Sequence, residues 1–180
     1  SGIAIFDNDV SLSQTTPSLL NSSMHRELTF TFGDYVSDIS LLSFCYARDL
    51  KKIGVLGIAL KAINYGHFDK NDAAGYNYGS FVANDQVLTL GIGKKLNPYF
   101  SIGVNINFLN SNYDLYHSFA LSSNISATYF NQKNKFSSTV LVKNIGKQLH
   151  AYSYEKESFP YEIQIAISKE LEHLPFRYHL

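Results

Sequence analysis

The sequence predicts an all-β chain, an antiparallel up-and-down transmembrane β-barrel seen here as a partial chain of about nine strands. Three observations predict it. Apolar and polar residues alternate with a period of two along most of the chain, the links between those stretches alternate in character, and the composition favours strands. The alternation is cleanest where Phe100, Ile102, Val104, Ile106 and Phe108 interleave with Ser101, Gly103, Asn105 and Asn107. A period of two sends these sets to opposite faces, one apolar and one small and polar, as a strand between lipid and water requires. The 13 tyrosines and 13 phenylalanines, beside one methionine and no tryptophan, add an aromatic, β-prone bias.

Taken in order, residues 1–27 are expected to form an N-terminal periplasmic or lumenal segment. A short turn or helix is expected around 17–22, because Thr16-Pro17-Ser18 places proline where a first helical turn accepts it. No secretory signal opens the chain at Ser1-Gly2-Ile3, so the sequence is expected to begin inside a longer one. Residues 28–180 are then read as strands of an incomplete barrel. The first two are expected at 28–34 and 39–48. A third sets Leu56, Ile58, Leu60 and Ala62 against Gly57, Ala59 and Lys61, and a fourth sets Leu88, Leu90 and Ile92 against Thr89, Gly91 and Gly93. The fifth is the stretch from 100 to 112. Phe119, Leu121, Ile125, Ala127 and Tyr129 mark the sixth, interrupted by Ser123, and the seventh runs over 136–144. Tyr161, Ile163, Ile165 and Ile167 oppose Glu162, Gln164, Ala166 and Ser168 in the eighth, and Phe176, Tyr178 and Leu180 oppose Arg177 and His179 in the ninth.

Links after alternate strands read as short and basic, at 48–52, 94–98, 131–135 and 169–173. The others read as longer, at 66–79 and 145–160, with a shorter one at 112–117. Short turns on one side and longer loops on the other are the pattern of an outer-membrane barrel. Tyr99 with Phe100, Tyr129 with Phe130, and Phe159 with Tyr161 stand near strand ends, where aromatic girdles form. A soluble antiparallel sandwich would also alternate and also place loops at two ends, because periodicity does not say what an apolar face meets. An odd strand number leaves an edge open, so further strands are expected outside this sequence, or closure by a partner.

Composition narrows the function classes. Lysine plus arginine and aspartate plus glutamate stand at 15 each, so no overall field draws the chain to nucleic acid. Cys45 is the only cysteine, which excludes an intrachain disulfide and a cysteine-rich zinc site. No run of about 18 apolar residues marks a membrane helix, a test to which barrels are blind.

Catalytic signatures are missing: no Gly-rich phosphate loop with a lysine, no His-Glu-x-x-His and no Gly-x-Ser-x-Gly. Ser153-Tyr154-Glu155-Lys156 has Ser-x-x-Lys spacing but lies in a polar link without a Lys-Thr-Gly elsewhere. Asp69-Lys70-Asn71-Asp72 has Gly75 in the wrong place for a calcium loop. His25, His67, His117, His150, His173 and His179 lie singly, and only His67, His117 and His150 are expected to share one end. No catalytic residue, cofactor or metal is expected. The candidate partner-binding residues are Tyr65, His67, Tyr76, Tyr78, Tyr113, Tyr116, Tyr152 and Tyr154, because exposed tyrosines suit protein interfaces. Lys61, Glu162 and Arg177 are candidate lumen residues, with Glu162 as a carboxylate that either cation could bond. Gly57, Gly91, Gly93 and Gly103 would leave room in a lumen for a hydrophobic ligand.

Several stretches in order resemble the PorQ family, barrel subunits of the type IX secretion system of Gram-negative bacteria. They are Asp7-Asn8-Asp9-Val10, Pro17-Ser18-Leu19-Leu20-Asn21, Ile63-Asn64-Tyr65-Gly66-His67-Phe68, Val142-Lys143-Asn144-Ile145-Gly146-Lys147-Gln148, Pro160-Tyr161-Glu162-Ile163-Gln164 and Pro175-Phe176-Arg177. The family looks related to FadL-like transporters, whose N-terminal segment carries an Asn-Pro-Ala-like motif. This chain has Thr16-Pro17-Ser18 there. The resemblance implies an outer-membrane, non-enzymatic subunit with long loops outside the cell. It would anchor the surface protein PorZ beside PorU and PorV in the complex that processes cargo and links it to lipopolysaccharide. It leaves a FadL-like carrier or binder of a hydrophobic ligand as the alternative.

Overall fold

The computed structural model describes residues 9–35, 38–152, 159–171 and 176–179. The protein is all-β. Its strands are β1 (Leu28–Asp34), β2 (Ser40–Asp49), β3 (Val55–Asn71), β4 (Asn77–Lys95), β5 (Phe100–Tyr113), β6 (Tyr116–Asn131), β7 (Phe136–His150), β8 (Glu162–Glu170) and β9 (Arg177–His179). They form one sheet in sequence order, each strand antiparallel to its neighbours, with β1 and β9 at the two edges.

The register is staggered in one direction. Leu56 pairs with Ile92, Ile92 with Val104, Val104 with Ile125, and Ile125 with Val142. Leu56 is next to the start of β3, Val104 lies further into β5, and Val142 further still into β7. A steady offset of this kind tilts strands against a common axis, as closure toward a barrel requires.

Before β1, three single 3-10 turns follow one another: Val10–Gln14, Pro17–Leu19 and Ser22–Met24. Asp9 and Asn21 cap the first and third by accepting the N–H of Ser11 and Ser23. Pro17 opens the second, where its fixed φ and missing N–H cost nothing. This short segment touches β1, β2, β3, β4, β5 and β6. Contact of one short segment with six neighbouring strands is what a sheet curved toward a barrel allows.

Strand ends differ from the expected ones in one region. Residues 66–71, 77–79 and 145–150 continue the ladders of β3, β4 and β7 instead of forming loops. Across the first of these hairpins the chain turns only over 72–76, where Asp72 accepts the N–H groups of Ala74 and Tyr76. The expected contrast in link length therefore survives only at 151–161. The contrast in charge persists, with Lys51, Lys52, Lys94, Lys95, Lys133, Lys135 and Lys169 all at the β2–β3, β4–β5, β6–β7 and β8–β9 ends.

Candidate functional site

The alternation in sequence becomes two unlike faces, and the apolar one is outside. Ile102, Val104 and Ile106 are 45%, 39% and 44% exposed, whereas Asn105 between them is 1% exposed. The same holds at Leu60, Leu88 and Leu90, and at Ile125, Val140, Ile163 and Ile165, all exposed. The inner face buries Thr89, Asn107, Ser122, Asn124, Ser126, Thr128, Ser137, Thr139 and Ser168. Burial of this kind inverts the ordinary rule for a protein in water.

Along the outer face the apolar side chains form a band. It covers residues 56–62 on β3, 88–92 on β4 and 100–108 on β5. On β5 that is roughly 27 Å of strand, or about 20 Å once tilted, close to the apolar height of a barrel in a membrane. Beyond it the outer face turns polar in one row: Ser40, Asn64, Asn84, Asn112 and His117 are cross-strand neighbours. Asn112 donates to Asn84 at 3.2 Å and faces His117 at 2.6 Å. At the other margin Tyr99 and Tyr129 stack at 6.2 Å, and Tyr129 also meets Phe100 at 5.0 Å and Phe136 at 6.2 Å.

Part of the buried polar face is satisfied by the N-terminal segment, and the rest within the sheet. The Ser18 N–H donates to Ser126 Oγ at 2.8 Å, and the Ser18 hydroxyl lies 2.8 Å from Thr128, which meets Thr139 at 2.9 Å. Ser101 donates to the Ser18 carbonyl at 2.7 Å, and Asn105 to the Gln14 carbonyl at 3.1 Å. The Gln14 amide donates to Ser43 at 3.0 Å and to Cys45 Sγ at 2.8 Å. Without such partners each buried polar group would cost about 1–3 kcal/mol. Thr16 Oγ1 is the exception, buried with no partner among the described residues. Beside this network Val10, Leu20 and Met24 pack with Cys45, Ala47, Val55 and Ala59 in a small apolar cluster.

Two glycines make the close approach possible. A Cβ on Gly103 would stand 2.3 Å from the Pro17 carbonyl carbon, and one on Gly93 would stand 2.4 Å from the Pro17 oxygen. Backbone lies against both, so the space expected to receive a hydrophobic ligand over Gly93 and Gly103 is taken by Pro17, Ser18 and Leu20.

The far ends of β3, β4 and β5 carry a second cluster. Tyr65 donates to Asp85 at 2.7 Å, and Tyr113 donates to the same carboxylate at 3.0 and 3.1 Å. The two rings stack at 6.1 Å, and Tyr152 meets Tyr113 edge-on at 5.7 Å. Both hydroxyls lie past the apolar bands of their strands. The bond to Asp85, then burial, pushes the Tyr65 hydroxyl above its ordinary value, whereas burial leads for Tyr113, followed by the same carboxylate. Lys70 and Asp114 form an ion pair that ties the β3–β4 hairpin to the β5–β6 turn.

The expected partner-binding residues thus separate. Tyr65 and Tyr113 are half-buried strand residues spent on Asp85, and Tyr152 is half-buried against Tyr113. Tyr76, Tyr78 and Tyr116 are 75%, 70% and 59% exposed, and His67 is exposed on β3. Tyr154 and the Ser153–Lys156 spacing lie outside the described residues. His150 Nδ1 lies 3.1 Å from the His117 carbonyl, and no group of three metal-ligating side chains occurs among the described residues.

The candidate lumen residues do lie on the inner-face register, but their partners differ from the expected one. Arg177 pairs with Glu170 at 3.2 Å, and Glu162 faces Lys143 at 4.0 Å. Ladder pairing decides this: Glu170 is opposite Arg177, and Lys143 is opposite Glu162. Lys61 has no ion pair among the described residues; Ser43 and Val87 are its cross-strand neighbours. Glu170 also pairs with Lys135, whose hydrogen bond, ahead of that from Arg177, holds its carboxyl below the usual range.

These two faces define a class, an antiparallel meander curled around its own N-terminal segment with apolar side chains outward and polar ones inward. Comparison with protein-family profiles finds no match, and comparison with curated proteins finds none either.

Proposed function

We propose that this chain is part of an outer-membrane β-barrel of a Gram-negative bacterium, acting as a non-enzymatic anchor for a surface partner. The single observation that carries the membrane reading is the inverted burial, with exposed isoleucines and valines alternating with buried asparagines, serines and threonines on the same strands. In water that surface would be a large apolar patch prone to association; in a bilayer it is the surface a barrel needs. The membrane-spanning segments are the apolar bands, including 56–62 and 100–108.

In this reading the hairpin ends carrying Tyr76, Tyr78 and Tyr116 face outward from the cell. Residues 9–24 cover part of the inner face, which favours an anchor over a conduit. The resemblance to the PorQ family supplies the partner: PorZ at the surface, beside PorU and PorV, in the attachment complex of type IX secretion. The test is isolation of the full-length protein in detergent with a tag. A surface protein should co-purify, and the combined changes Tyr76→Ser, Tyr78→Ser and Tyr116→Ser should release it while the barrel still inserts. Undiminished capture by that variant would contradict the anchoring role, and recovery in the soluble fraction would contradict the location.

A further inference from the structure

The outer band is not uniform. A furrow of about 460 Å³ crosses it, with Lys94, Ile102, Ala127 and Val140 along one row and Val104 in the next. These are cross-strand neighbours, Lys94 with Ile102, Ile102 with Ala127, and Ala127 with Val140. Ala127 is the shortest apolar side chain of the row, between isoleucine and valine. Lys94 is next to the end of β4, whereas Ala127 and Val140 are well inside β6 and β7. The stagger of the sheet therefore leads the furrow from the basic margin into the middle of the apolar band.

Its mouth is positively charged. Lys51, Lys52, Lys94 and Lys95 are all exposed, and none of them has an ion pair among the described residues. Ile53, exposed in the same turn as Lys51 and Lys52, forms part of the furrow wall. A cationic mouth opening into a narrow apolar path is complementary to one molecule class, a phosphate-bearing headgroup with an acyl chain.

We propose that the furrow holds one acyl chain of an anionic phospholipid of the adjacent leaflet, with Lys94 and its neighbours at the headgroup phosphate. The inference rests on the membrane reading and adds a specific lipid position to it. A basic side chain near an anionic headgroup favours binding by roughly fivefold. Packing of a chain along Ala127 would orient that headgroup, so charge and shape are tested separately.

The full-length protein in detergent, given equal amounts of phosphatidylglycerol and phosphatidylcholine, can be read by native mass spectrometry. Phosphatidylglycerol should be retained roughly fivefold over phosphatidylcholine, and Lys94→Glu should abolish that preference. Ala127→Phe, which fills the furrow on an exposed face, should reduce retention of both lipids, while Lys133→Glu, on another turn, should leave the parent pattern. Equal retention of the two lipids by the parent, or an unchanged preference in Lys94→Glu, overturns the inference and leaves the membrane reading standing. A protein that is monodisperse with neither detergent nor lipid overturns both.

Discussion

The two faces of β5 are built on one backbone yet obey opposite rules. Outward, Ile102, Val104 and Ile106 are exposed; inward, Gly103 is covered, and Asn105 and Asn107 are covered and hydrogen-bonded. Asn107 alone accepts from Thr89 at 2.8 Å and donates to Ser122 at 3.2 Å. A soluble sandwich would seal the aliphatic face against a second sheet and leave the amides to water. The difference teaches that the surroundings of the fold, and not its strand pattern, decide which side chains can be left uncovered.

The comparison can be broken from either face. The largest effect is expected outside: Val104→Arg, in the middle of the band, should lower the stability of the lipid-inserted protein by about 2–4 kcal/mol. Arginine in place of Asn84, in the polar row, should cost at most about 1 kcal/mol. Equilibrium unfolding from vesicles measures both, and equal costs would erase the band.

Next comes the inner face. Gly103→Val forces side-chain atoms into the Pro17 backbone and should cost about 1–3 kcal/mol, or expel residues 9–24 from the sheet. Limited proteolysis should then cut within that segment while the strands stay protected. A smaller loss, about 1 kcal/mol, is expected for Thr128→Val, which removes the hydroxyl linking Ser18 to Thr139.

The smallest effect concerns pH. Tyr65 and Tyr113 have values raised above 10.0, so their stabilising bonds to Asp85 are fully present below that pH and are lost as pH climbs through the higher folded values. Tyrosinate absorbance should show a fraction ionising after the bulk, and Asp85→Asn should move that fraction back toward the rest.

Much of this was legible in the sequence. Period-two alternation marks six of the described strands, and β1 begins and ends at the expected residues 28–34. Strand extensions at 66–71 and 77–79 were hidden because Tyr, Gly, Asn and Asp there imitate a loop, and only ladder pairing with the opposite strand holds them extended. The ion pairs of Arg177 and Glu162 depend on register, which residue types do not encode. The roles of Gly93 and Gly103 were equally hidden, since contact with Pro17 joins positions far apart along the chain. A single turn was expected around Pro17, and the chain makes three, each closed by a local cap or proline.

The central claim is that the exposed apolar face meets hydrocarbon. It is tested most directly by placing single spin labels at each residue from 100 to 108, in a Cys45→Ala background of the full-length protein inserted in vesicles. Oxygen should reach the labels at even positions and a water-soluble nickel chelate should not, with the pattern reversing or falling silent at odd positions. Free access of the chelate to Val104 and Ile106, or equal shielding of both faces from oxygen, would contradict the account.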